Sequence, residues 1–134
     1  MDIRFVKPEE IWTYCFTDTP EFIDWYFNTK FQSENTMAAI ENNVIVSNLQ
    51  MLPYQLSFHG QELDISYIVG AATMPEARGK SCMKLLLQQS LQSMKEKGQL
   101  ITILLPFNYG FYRKYGWETC YLQKEYSLVI DDIK

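Results

Sequence analysis

A chain of 134 residues, 47% hydrophobic and 21% charged, has the length of one domain and enough apolar side chains for a core, which excludes intrinsic disorder. Its net charge of -4, from 16 Asp and Glu against 12 Lys and Arg, argues against a nucleic-acid backbone binder, which needs a basic face, and is compatible with a cationic substrate. No stretch approaches the ~20 apolar residues of a membrane span, and the charged start Met1 to Glu10 lacks the apolar core of a signal peptide. Cys15, Cys82 and Cys120 form no CxxC pair, and His59 is the sole histidine. No metal site is therefore expected, and the cysteine usage points to a reducing compartment, the cytoplasm.

The sequence contains no internal repeat, low-complexity tract or linker, so residues 1–134 read as a single domain. Ile3 to Val6 is a candidate edge strand. Pro8-Glu9-Glu10 opens a short helix carrying Ile11, Trp12 and Cys15, since Pro and carboxylates suit a helix's first turn. Asp18-Thr19-Pro20-Glu21 repeats the signal and starts a second helix bearing Phe22, Trp25, Tyr26 and Phe31. From residue 36 the period changes. Thr36–Glu41, Val44–Leu52 and Tyr54–Phe58 read as strands, with turns at Glu41-Asn42-Asn43 and His59-Gly60-Gln61, where Asn and Gly tolerate positive φ. A longer strand runs from Glu62 to about Met74.

The clearest helix spans 81–97. Met83, Leu86, Leu87, Ser90, Leu91 and Met94 form one stripe, and Gly98 stops it. Leu100–Leu105 is a near-continuous apolar run, as expected of a strand buried on both faces. Strand 62–74, helix and strand 100–105 make a βαβ unit with parallel strands and a right-handed crossover. A short helix, Asn108–Tyr115, follows, closed by Gly116. Trp117–Cys120 and Glu125–Ile130 are candidate final strands.

The chemistry-bearing segment is Thr73-Met74-Pro75-Glu76-Ala77-Arg78-Gly79-Lys80-Ser81-Cys82-Met83. A strand ends, Pro breaks the ladder, and a basic turn enters a helix N-terminus. The first amides of a helix have no internal partner and the dipole is positive there. With Gly79 allowing close approach, this is a candidate phosphate or pyrophosphate site. Gly79-Lys80-Ser81 imitates the end of a P-loop, but the first glycine of that motif falls on Met74, which excludes it.

The stretch Tyr67 to Lys80 resembles strand four and motif A of the GNAT acetyltransferase superfamily, V-x-P-E-x-R-G-x-G-x-[GA]. Leu104-Leu105-Pro106 followed by Phe111-Tyr112-Arg113-Lys114-Tyr115-Gly116-Trp117 resembles the family's Y-x-x-x-G-[FYW] motif after strand five. Within the superfamily the chain is most similar to the N-terminal half of the enhanced-intracellular-survival type. Two positions depart from the pattern: Ser81 stands where the family has glycine, and Met83 where it has a small residue. Members of that type continue into a second such domain and a sterol-carrier-like domain, whose terminal carboxylate serves the active site. Lys134 ends this sequence, so that role is not carried over.

The resemblance implies an α/β (α+β) fold: a mixed, mostly antiparallel central sheet with a parallel, splayed strand pair and flanking helices. It implies acetyl-CoA as cofactor. The pyrophosphate would take backbone amides over Arg78, Gly79, Lys80, Ser81, Cys82 and Met83. The pantetheine arm would bond the strand edge at Ala71, Ala72 and Thr73, with Asn108 touching it from the other side. Tyr112 stands where the family places the general acid that protonates the leaving thiolate. The acceptor would be an amine of a small molecule or peptide, with Asp18, Asp24 and Glu34 as candidate attractors. A non-catalytic acyl-CoA-binding or regulatory domain of the same fold is the alternative. The 8 Phe, 9 Tyr and 3 Trp residues leave a homodimer surface, or a docking site for another domain, as a further expectation.

Overall fold

The computed structural model describes residues 2–4 and 9–133. Five strands form one sheet in chain order: β1 (Asp2–Arg4), β2 (Thr36–Glu41), β3 (Val44–Phe58), β4 (Gln61–Thr73) and β5 (Thr102–Leu104). The first four pair antiparallel, whereas β4 and β5 are parallel. Helices α1 (Glu9–Cys15), α2 (Pro20–Thr29), α3 (Cys82–Glu96) and α4 (Tyr109–Arg113) surround the sheet. The mixed sheet and parallel pair are thus as the sequence implies. Residues Phe5 and Val6 of the candidate first strand, and Pro8 before α1, lie outside the described residues.

The turns form for the expected reason. Asn42 and Asn43 hold φ of 52° and 63°, and His59 and Gly60 hold 49° and 78°, so both hairpins use left-handed backbone at two successive residues. Thr19 caps α2, accepting the Phe22 amide, with Pro20 in the first turn. Tyr54–Phe58 is not a separate strand. β3 runs unbroken through Pro53, because residues beyond Gln50 have passed the end of β2 and pair with β4 alone. A proline is tolerated where one strand edge is open.

Two apolar clusters cover the two sheet faces. On one, Leu86, Leu87, Met83 and Met94 of α3 pack on Leu49, Met51 and Ile68. On the other, Trp12 of α1 and Ile23, Tyr26 and Phe27 of α2 pack on Leu52, Tyr67 and Val69. Strand alternation sends Met51 to one face and Leu52 to the other. The α3 stripe is buried as its spacing predicts, except that Leu91 is exposed at its margin. On α2, Trp25 faces solvent while Tyr26 and Phe27 are buried.

The end of the sheet differs from expectation. β5 has three residues rather than six, and its side chains are half-buried, with Leu100 and Leu105 exposed. Residues 117–129 adopt no regular structure, and a 3-10 turn follows at Ile130–Ile133. The expected strands at Trp117–Cys120 and Glu125–Ile130 do not form. Alternation makes a strand only where a neighbouring backbone pairs with it, and no described strand pairs with this segment.

One irregularity sets the shape of β4. Asn48 pairs with Ala72 but Gln50 pairs with Val69, so β4 carries an extra residue opposite Leu49. This bulge holds Gly70 at φ +62°, and a Cβ there would lie 2.7 Å from Cζ3 of Trp12. Left-handed backbone and close approach both require glycine. Gly70→Ala should therefore destabilise the protein by about 2 kcal/mol or more, which urea denaturation will measure.

Candidate active site

β4 is paired with β5 only from Ser66 to Ile68. Past that point it continues for five residues, Val69 to Thr73, with no β5 neighbour. Beyond the paired stretch, a cleft of about 720 Å³ opens beside the free end of β4. One wall is the β4 end, Ala71, Ala72 and Thr73. The next is the turn and first residues of α3: Arg78, Gly79, Ser81, Cys82 and Met83. Aromatic side chains of α4 and its flanks close the far side, among them Phe107, Phe111 and Tyr112.

The start of α3 is built to leave its amides free. Its first intrahelical hydrogen bond runs from Leu85 N–H to the Ser81 carbonyl, and the Ser81 side chain caps nothing. The amides of the first turn thus lack both an internal and a capping partner. By contrast α2 and α4 are capped, by Thr19 and Asn108. Nor does the first turn of α3 carry an acidic residue. Gly79 sits at φ +82° with open space where a side chain would be. An uncapped N-terminus beside a glycine with nothing over it suits a diphosphate.

Ser81, in place of the family glycine, occupies left-handed backbone at φ 61°. The glycine pattern thus reflects a conformation that this chain adopts with a serine. Its hydroxyl side is exposed and its amide stays available. Met83 is buried in the α3 core cluster, so its bulk is mainly accommodated below the cleft.

Tyr112 is 5% exposed and ringed by Phe107, Phe111 and Trp117, with ring centroids 5.8, 5.1 and 6.4 Å away. Burial pushes its phenol pKa up, so the hydroxyl stays protonated. It lines the cleft while making no hydrogen bond among the described residues. A protonated, unengaged hydroxyl in an apolar wall is chemically able to donate a proton.

Two of the sequence-derived site residues are placed elsewhere. The Lys80 ammonium bonds the Glu41 carboxylate at 2.8 Å, and that pairing raises the lysine pKa and lowers that of the glutamate. Lys80 does not line the cleft. Asn108 likewise does not line it; its side-chain oxygen accepts the Phe111 amide at 3.1 Å and caps α4. The remaining nine residues, from Ala71 through Tyr112, come together. Of the candidate acceptor carboxylates, Asp18 accepts the Trp12 indole at 2.9 Å, Asp24 and Glu34 are exposed, and none lines the cleft.

The structure adds residues that spacing did not reveal. Cys15 and Phe16, at the end of α1, close the cleft near Thr73, and the Cys15 thiol donates to the Thr73 carbonyl at 3.7 Å. Burial raises that thiol's pKa. Tyr14 donates to Glu76 at 2.8 Å, tying α1 to the turn before α3. Hydrogen bonds from the Glu76 backbone and from Tyr14 hold the Glu76 carboxylate below its ordinary range. Lys84, Lys114 and Tyr115 line the outer cleft. The lone Gly70 within a strand pattern is the one sequence signal for the bulge.

Among known proteins, the sequence matches the acetyltransferase (GNAT) domain over residues 5–120. The chain belongs to the GNAT acetyltransferase family. A comparison with curated proteins gives no match. A probable N-acyltransferase from Enterococcus faecalis superposes with a TM-score of 0.76 at 22% identity, over 86% of this chain and 31% of that one. Eis1 from Mycobacterium abscessus gives 0.74 at 14% identity, over 87% of this chain and 31% of that one. This chain thus spans about a third of those structures. An aminoglycoside 6'-N-acetyltransferase from Acinetobacter haemolyticus gives 0.76 at 13% identity, over 98% of this chain and 100% of that one. At such identities the likeness establishes a shared GNAT fold.

The strained serine makes a direct test of the cleft's local backbone. Left-handed backbone costs a non-glycine residue about 1–2 kcal/mol, partly offset by glycine's extra freedom when unfolded. Ser81→Gly should therefore raise stability by up to about 1 kcal/mol, read as a higher midpoint in thermal unfolding.

Proposed function

We propose that the protein is an N-acetyltransferase that transfers the acetyl group of acetyl-CoA to a primary amine. The observation that carries this reading is the cleft itself. A parted strand pair leads to an uncapped helix N-terminus on one side, and a buried tyrosine hydroxyl faces it from the other. A long thioester with a diphosphate at one end matches those features in kind. Residues 1–134 would serve as one catalytic domain of the enhanced-intracellular-survival type, acting in the cytoplasm.

The amides from Arg78 to Met83 would hold the pyrophosphate, with the exposed Arg78 guanidinium adding charge. The free edge of Ala71–Thr73 would bond the pantetheine amides. Bound acetyl-CoA supplies a thioester whose carbonyl an uncharged amine attacks, with a thiolate as leaving group. A β4 amide on that free edge would steady the charge that develops on the carbonyl oxygen. Tyr112 would protonate the sulfur: a phenol of pKa about 10 or above is a competent donor to a thiolate of about 8.5.

No carboxylate or imidazole among the described residues lines the cleft. Glu76, held ionised and hydrogen-bonded to Tyr14, is a structural link rather than a base. On this reading the acceptor amine would enter the cleft in its neutral form.

The deciding experiment pairs thermal unfolding with turnover. Acetyl-CoA at 100 times its dissociation constant should add about 2.7 kcal/mol of stability, a rise of several degrees. Tyr112→Phe should keep that rise while lowering kcat by about 10²-fold or more. An unchanged kcat would remove Tyr112 from the chemistry, and a missing rise would refute the cofactor. Binding without turnover of any amine would favour the non-catalytic alternative.

The pH profile gives an independent check. Because burial raises the Tyr112 pKa, loss of its proton should cut the rate only above about pH 10. That alkaline limb should vanish in Tyr112→Phe. The acid limb should move with the pKa of the amine offered; a limb fixed near one value for all amines would reveal an enzyme base.

A further inference from the structure

The cleft does not end at the α3 turn. It runs outward between α3 and α4, where Lys84, Lys114 and Tyr115 line both the cleft and an adjoining cavity of about 400 Å³ that also touches Gln88. Two lysines thus line one space. Neither is in an ion pair among the described residues, whereas the nearby cations Lys80 and Arg113 are bonded to Glu41 and Glu118.

Lys84 is placed at a cost, and Lys114 is held in place. Lys84 is the third residue of α3, in the first turn, where the helix dipole disfavours a cation. The first turns of α1 and α2 carry Glu9, Glu10 and Glu21 instead. Lys114 lies over two aromatic faces, 5.2 Å from the Phe111 ring centroid and 5.6 Å from that of Tyr115. That contact holds its ammonium at the edge of the cleft rather than free in solvent. Two like charges facing a shared cavity repel each other unless an anion joins them.

Resting on the acetyl-CoA reading above, the order of groups in that cofactor fixes which anion this is. The thioester and pantetheine occupy the inner cleft and the pyrophosphate the α3 turn. The group beyond the pyrophosphate is a ribose bearing a 3'-phosphate, and it must leave the turn toward the outer cleft. We propose that Lys84 and Lys114 form a second anion subsite that takes the 3'-phosphate of CoA and makes the protein select CoA over dephospho-CoA. The phosphate dianion sits between the two ammonium groups. Lys84 then has an anion near its helix end, and the repulsion between the lysines becomes attraction to a common partner.

The test is calorimetric titration of the full chain with CoA and with dephospho-CoA. Two partly exposed charge contacts should favour CoA by about tenfold at low salt, and added salt should shrink that preference. In the Lys84→Gln, Lys114→Gln double variant the preference should fall below about twofold, with dephospho-CoA affinity unchanged. Equal affinities in the parent protein would overturn the subsite while leaving the cofactor reading intact. Equal losses for both ligands in the variant would also overturn it, since the lysines would then serve the pyrophosphate or the fold. If neither ligand binds, the cofactor reading falls and the subsite with it.

Discussion

The parting of β4 from β5 is the constraint on which the rest depends. β4 is gripped by β3 along nearly its whole length but by β5 over three residues. A parallel strand that loses its neighbour exposes a row of backbone donors and acceptors, normally a liability. Here the same row becomes one wall of a cleft. The bulge at Gly70 lies at the place where pairing with β5 has just ended, and it is pinned from behind by Trp12. Trp12 is itself fixed by its bond to Asp18 and its tilted ring contact with Tyr26. The shape of the cleft is therefore set largely from the opposite face of the sheet, by an aromatic layer that reaches it only through Phe16.

Charge around the cleft is arranged by exclusion as much as by attraction. Carboxylates close to it are engaged: Glu41 by Lys80 and Glu76 by Tyr14. This leaves Arg78, Lys84 and Lys114 facing the opening in a protein whose overall charge is -4. A net acidic chain thus presents a local cationic channel. Net charge describes the whole surface and says little about one groove in it.

Much of this was legible in the sequence where physics is local. The stripe of α3, the cap at Thr19 and the two-residue hairpins each declare themselves within a few positions. So did the turn from Arg78 to Met83, because strand, breaker and helix start are adjacent in the chain, whereas Ala71 to Thr73 entered only through the family resemblance. What failed was non-local. Pro53 looked like a strand end, and only the missing β2 neighbour explains why it is not. Glu125–Ile130 alternates like a strand, yet has no described strand beside it. Lys80 and Lys84 are both basic residues near one helix start, and a glutamate 39 positions away decides which of them turns from the cleft. Cys15 and Phe16 reach the cleft from across the fold, and nothing in their spacing announces it.

The bond between Tyr14 and Glu76 joins residues 62 positions apart. Bringing such distant segments together costs chain entropy before any contact repays it, and the cost grows with the loop closed. The hairpins β2–β3 and β3–β4 close loops of two residues. On that scale the sheet centre is assembled from neighbours, while the cleft waits for α1 to meet the α3 turn. By this argument from loop closure, the cleft is the costliest part of the fold to assemble, and most of the sheet can form without it.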